Sequence, residues 1–133
     1  MNRRRAVSEP DTVLVLDDSE VCLELAREAL ERAGLRVVTS SSPLGASRLL
    51  RQSRPSCVVV DVSMPALDGD KLVEILRRAS DRPLPILLHS DRSPDELRAR
   101  AERCGADGVV HKEPDCRSLP GAVADAIRRA TPR

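Results

Sequence analysis

The chain has 133 residues, room for one domain around one core, and its 41% hydrophobic and 32% charged residues are an ordinary globular balance. It contains no Phe, Tyr or Trp, so the core must be aliphatic, and no aromatic platform exists to stack a flavin, a base or a sugar. The net charge of +1 gives no steer toward nucleic acid or membrane, although residues 1–10 and 120–133 each carry +2 around a mildly acidic body.

Residues 1–10, which include Arg3-Arg4-Arg5, read as a short disordered basic arm ahead of a single domain over residues 11–133. The cysteines at 22, 57, 104 and 116 have no metal-ligand spacing; Cys22 and Cys57 lie in apolar segments and read as reduced thiols. No apolar run approaches the roughly 20 residues of a membrane span, and Met1 is followed by polar residues rather than the apolar core of a signal peptide. A cytoplasmic location is expected.

From residue 11 onward, short apolar runs alternate with helical periodicity five times. Thr12 to Asp17 is predicted as a strand ending on Asp17-Asp18. Ser19 to Ala33 follows as a helix, with Cys22, Leu25, Ala26, Ala29 and Ala33 on one face and Gly34 closing it. Taken alone, Asp18 and Ser19 are explained as helix caps. Arg36 to Ser40 is a brief second strand, and Pro43 to Gln52 a helix carrying Leu44, Ala46, Leu49 and Leu50.

Cys57 to Asp61 is the third strand. Its β-branched run has no polar alternation, as in a strand buried on both faces, and it stops abruptly on a carboxylate. Pro65 and Asp68-Gly69 then make a loop, and Asp68 to Ala79 is a helix with Leu72, Ile75, Leu76 and Ala79 at spacings of three and four. Pro85 to Ser90 is strand four. Ser93-Pro94-Asp95-Glu96 is a strong helix start, and Gly105 ends that helix. Gly108 to Lys112 is strand five, and a last helix runs from near Ser118 to about Ala130. This alternation implies an α/β fold, a doubly wound, five-stranded parallel sheet with helices on both faces.

Such sheets bind ligands at the carboxyl ends of their strands. At that edge stand Asp17 and Asp18, Asp61, Ser90 and Lys112. Three carboxylates within a few ångströms repel by roughly 3 to 4 kcal/mol per pair at an effective dielectric of about 20, so the cluster needs compensation. A hard divalent cation with oxygen ligands and retained waters answers that need, and Mg²⁺ suits it better than Ca²⁺. The chain uses 20 Arg and only two Lys, so a Lys at 112 points to a need for a compact charge on a flexible stem. An acid nucleophile, a metal, a lysine and a hydroxyl are the parts needed to accept a phosphoryl group.

In this order and spacing, Asp17-Asp18, Asp61 in Asp61-Val62-Ser63-Met64-Pro65, Ser90 and Lys112 resemble the receiver domain of two-component response regulators, over about residues 11 to 131. The resemblance implies a flavodoxin-like strand order 2-1-3-4-5. It implies that Asp61 is the phosphoacceptor from a sensor histidine kinase or phosphotransfer protein. Mg²⁺ would lie among Asp17, Asp18, Asp61 and the backbone carbonyl of Ser63, with Ser90 and Lys112 holding the phosphoryl oxygens. Such a domain is not an enzyme beyond its own phosphotransfer and dephosphorylation. As a single-domain type it is expected to signal by protein contact, through the face of helix four, strand five and helix five. That face carries Arg98, Arg103, Arg117 and Val109, fit for an acidic partner, with no role for nucleic acid or membrane.

Three positions depart from the family pattern. Val109 stands where a switching Tyr or Phe is usual, Asp91 replaces a small residue after Ser90, and Glu113 replaces the Pro after Lys112. They motivate an alternative, a phosphorylation-independent pseudo-receiver acting as a protein-interaction adaptor. A flavodoxin-like electron carrier lacks its phosphate-cradling loop here, and a haloacid-dehalogenase-like phosphatase would want an Asp where Ser63 stands. His89 and His111, 22 residues apart without a third ligand, do not read as a metal site.

Overall fold

The computed structural model describes residues 9–62 and 69–130. Five strands and five helices alternate without exception: β1 (Thr12–Leu16), α1 (Glu20–Arg32), β2 (Arg36–Ser40), α2 (Ala46–Ser53), β3 (Cys57–Asp61), α3 (Gly69–Ala79), β4 (Ile86–Ser90), α4 (Pro94–Cys104), β5 (Gly108–His111) and α5 (Leu119–Ala130). All strand pairs are parallel, in the order β2-β1-β3-β4-β5. β1, β3 and β4 form the middle, and β3 and β4 are buried at every position, as their unbroken apolar runs require.

Because strand side chains alternate between faces, the strand residues divide by parity. Leu14, Leu16, Val58, Val60, Ile86 and Leu88 pack with Leu50, Leu72, Val73, Leu76 and Leu97 from α2, α3 and α4. Val13, Val15, Cys57, Val59 and Leu87 pack with Leu23, Ala26, Leu30, Leu119 and Val123 from α1 and α5. Asp61 continues the parity of Cys57 and Val59, and the register sets it opposite His89. No helix among the described residues is long and apolar enough to cross a membrane.

Several local expectations need correction. The buried stripe of α1 is Leu23, Ala26, Ala29 and Leu30; Cys22 and Leu25 are only half-buried, and Ala33 lies exposed beyond the helix. Both stripes have helical spacing. The phase is set by the exit of β1 and the Ser19 cap, whose Oγ accepts the Cys22 N–H at 3.2 Å. α2 starts at Ala46 rather than Pro43, because Gly45 takes a left-handed φ of 79° and stops any earlier helical turn. Leu44 is accordingly 82% exposed. On α3, Val73 is buried and Ile75 is 40% exposed. Strands one and five each end one residue earlier than expected, and strand four starts one later. Residues 1–8 of the expected arm, and Ser63 to Asp68 with the expected loop and the first residue of helix three, lie outside the described residues.

Candidate functional site

The carboxyl ends of β1 and β3 deliver two buried acids. Asp17, 2% exposed, follows β1 directly; its N–H donates to the Ser40 carbonyl at 3.2 Å, and its Oδ1 accepts the Ser19 N–H at 2.9 Å. Asp61, 4% exposed, is the last residue of β3. Asp18 is exposed, and Ser19, not Asp18, caps α1. One carboxylate oxygen from each of Asp17, Asp18 and Asp61 lies within 4.8 Å of the others. Three hard oxygen donors converging this closely fit a divalent cation of the Mg²⁺ class.

Lys112 reaches this cluster from the end of β5. Its Nζ lies 2.8 Å from Asp17 Oδ2 and 3.8 Å from Asp61 Oδ1, bridging the two strand ends. Burial alone would lower the lysine pKa. The hydrogen bond and charge of Asp17, backed by Asp61, outweigh that and raise it, so the ammonium stays charged. One ammonium against three carboxylates leaves the cleft anionic, a state that favours binding a cation. The same Nζ donates to Cys22 Sγ at 3.6 Å. Sequence reasoning put Cys22 among packing residues and missed this contact; the available signal was its place on the first turn of the helix after Asp17-Asp18.

Ser90 ends β4, is 1% exposed, and accepts the Arg92 N–H on its Oγ at 3.1 Å. That bond shapes the turn and uses the hydroxyl oxygen as an acceptor. The Ser90 carbonyl also accepts the Lys112 N–H at 2.8 Å, tying the hydroxyl-bearing strand end to the lysine-bearing one. The structure thus brings together Asp17, Asp18, Asp61 and Lys112 by direct geometry, with Ser90 joined through its backbone. Ser63 falls outside the described residues.

The three departures from the expected pattern each have a place. Val109 is half-buried and packs on the core shared by α2, α3 and α4, opposite Leu88 in the register. Asp91 is exposed. Glu113 Oε1 accepts the Ser118 N–H at 2.8 Å, just before α5, and that backbone hydrogen bond lowers its pKa. Glu113 therefore holds the start of α5. No cis peptide bond occurs among the described residues.

His89 is a further buried polar group near the site. It is 2% exposed, and its Nε2 has no hydrogen-bond partner among the described residues. Burial, then the charge of Lys112, pushes its pKa down to about 4. On the expected output face, Arg98 pairs with Asp95 at 2.6 Å and Arg117 with Asp115 at 3.5 Å. Those two arginines are locally neutralised, so the face is less basic than the sequence count implied.

Comparison with known proteins decides the family. The profile of the response regulator receiver domain matches residues 13–124, nearly the whole described fold. The chain belongs to the response regulator receiver family. Its receiver is 34% identical to the transcriptional regulatory protein PrrA of Mycobacterium tuberculosis, over 92% of this chain and 52% of that protein. It is also 34% identical to a protein-glutamate methylesterase/protein-glutamine glutaminase of Anaeromyxobacter dehalogenans, over 88% of this chain and 33% of that one. The receiver thus spans about half or less of the length of these relatives, whose names describe different activities. The fold matches that of the chemotaxis response regulator CheY4 of Vibrio cholerae, with a TM-score of 0.73 at 23% identity, covering 92% of this chain and 99% of the other.

Proposed function

We propose that this receiver accepts a phosphoryl group on Asp61 and relays the event by protein contact. The observation that supports it most is the Lys112 ammonium held between Asp17 and Asp61, beside the third acid, Asp18. An Asp61 oxygen attacks the phosphorus of a phosphohistidine on a sensor kinase or phosphotransfer protein. The new P–O bond forms as the P–N bond breaks, and the imidazole leaves with its electron pair. Lys112 exchanges its weaker contact with Asp61 for the phosphoryl oxygens, and the Ser90 hydroxyl donates to them. Asp17 keeps Lys112 oriented throughout. Mg²⁺ bound by Asp17, Asp18, Asp61 and the Ser63 carbonyl would neutralise charge on the transferring group. This reading places the protein in the cytoplasm, where such donors act.

The signal leaves through backbone links rather than an aromatic rotamer. Shifting a two-state equilibrium from 1:99 to 99:1 takes roughly 5.5 kcal/mol. Charge-assisted hydrogen bonds contribute about 1.5 to 3 kcal/mol each, so two or three new phosphoryl contacts suffice. Ser90 and Lys112 are joined by the 2.8 Å backbone bond, so their movement carries the Ser90–Ser93 turn and the start of α4. The face of α4, β5 and α5 is then the output surface.

The test is incubation with Mg²⁺ and a small phosphodonor, read by intact mass. A single phosphoryl adduct is expected in the wild type, none in Asp61→Asn, and at least about tenfold slower formation in Lys112→Met. Hydrogen exchange should change in residues 90–112 on phosphorylation. An absent adduct, or one that persists in Asp61→Asn, refutes the mechanism and leaves the phosphorylation-independent adaptor in its place.

A further inference from the structure

At least eight of the sixteen described arginines pair with a carboxylate. Arg27 pairs with Glu31, Arg36 with Glu9, Arg77 with Asp107, and Arg78 with Glu74. α2 breaks this habit. Its eight residues, Ala46–Ser53, contain no acid, and among the described residues no carboxylate pairs with Arg48, Arg51 or Arg54.

Arg54 is unusual in its backbone as well. It caps α2 at φ 46° and ψ 59°, a left-handed conformation that brings the Cβ of an L residue against its own carbonyl. α4 ends at the same kind of turn with Gly105, at φ 80°. Where glycine would be unstrained, α2 ends with a guanidinium instead.

Arg51 and Arg54 line a cleft of about 230 Å³ with Arg82, over a floor that includes Leu50 and Leu84. Arg82 Nη2 donates to the carbonyls of Arg54 at 2.9 Å and Pro55 at 3.0 Å, which fixes this third guanidinium against the Arg54 backbone. Asp81 is the one acid in the lining. The cleft sits before the starts of β3 and β4, at the opposite sheet edge from Asp61, and is independent of the phosphoacceptor reading.

We propose that this cleft binds a polyphosphate, either inorganic pyrophosphate or the phosphate tail of a nucleotide. Three guanidinium groups against one carboxylate give a net charge of +2 in the lining. A carboxylate offers two oxygens and satisfies one fork, whereas linked phosphoryl groups present more oxygens and more negative charge over a longer span. The chain has no aromatic residue to stack a base, so recognition rests on the phosphates and is indifferent to the base.

Calorimetric titration with pyrophosphate, ATP, GTP and an oligoglutamate peptide, in EDTA to keep the Asp17/Asp18/Asp61 cluster metal-free, tests this. Amide NMR shifts locate the site. Pyrophosphate is expected to bind and to shift residues 50–55 and 79–84. Equal affinities for pyrophosphate and both nucleotides mark the phosphates as the whole determinant, and tighter binding of both nucleotides marks the nucleotide as the source. Arg54→Gly relieves the left-handed strain and so should fold, yet is expected to weaken pyrophosphate binding about tenfold, as is Arg51→Gln. The proposal is overturned by absence of pyrophosphate binding in the wild type, by unchanged affinity in both variants, by shifts confined to Asp17 and Lys112, or by tighter binding of oligoglutamate.

Discussion

Replacing His89 with leucine is expected to remove a pH-dependent weakness from the core. The imidazole is 2% exposed, its Nε2 is unpartnered among the described residues, and burial with the nearby Lys112 charge holds its pKa at about 4, against an ordinary 6.5. Asp17 and Glu113 pull the other way but do not prevail. As pH falls from 6.5 to about 4, the unfolded chain takes up a proton that the folded chain refuses, so stability declines through that window. The whole loss comes to about 3 kcal/mol, at 1.36 kcal/mol per pKa unit. Above pH 6.5 this contribution is absent, and the variant should gain roughly 1 to 3 kcal/mol by deleting an unsatisfied buried nitrogen. Urea unfolding of both proteins in EDTA, from about pH 7 to pH 4, measures the difference, which also cancels the titration of groups not coupled to His89. With a slope of about 1.5 kcal/mol per molar urea, the gap between the two midpoints should widen by about 2 M toward the acid end. Midpoints that fall in parallel would show that the folded chain protonates His89 as readily as the unfolded one.

Arg77 donates to the carbonyls of Leu84 and Gly105 and to Asp107, which also accepts the Ile86 N–H, so Arg77→Met should cost about 2 kcal/mol in denaturant unfolding. Arg78→Met, which loses only an exposed pair with Glu74, should stay within about 0.5 kcal/mol; equal losses would refute the distinction. Iodoacetamide should modify Cys22 before Cys57, whose buried thiol is pushed up to about 12, as peptide mapping will show. The adduct should crowd Lys112 away from the acids and slow phosphorylation, because Cys22 Sγ lies 3.6 Å from its Nζ. Asp91→Ala should change the rate of phosphorylation or hydrolysis by only about twofold at low salt, shrinking with added salt, since Asp91 is exposed; identical low-salt rates would show that its charge does not reach the site.

Alternation of strands and helices, the carboxyl-edge position of Asp17, Asp61, Ser90 and Lys112, and the absence of any aromatic were determined by the sequence, because each depends on short-range periodicity or on composition. A parallel sheet then leaves little choice about which edge gathers the strand ends. Other features waited on the tertiary structure. The phase of α1 was ambiguous, since two neighbouring stripes share helical spacing and only docking on the sheet chooses Leu23 and Leu30 over Cys22 and Ala33. Docking also turned Cys22 toward Lys112, 90 residues away in the chain. The role of Glu113 was equally hidden: it looked like a gap in a motif until the fold brought Ser118 within 2.8 Å. Pairing among the arginines was the last such decision. Arg98 and Arg117 pair with acids three and two residues away, which the sequence already contains, whereas Arg77 meets Asp107, thirty residues away, only because the fold brings α3 and the start of β5 together.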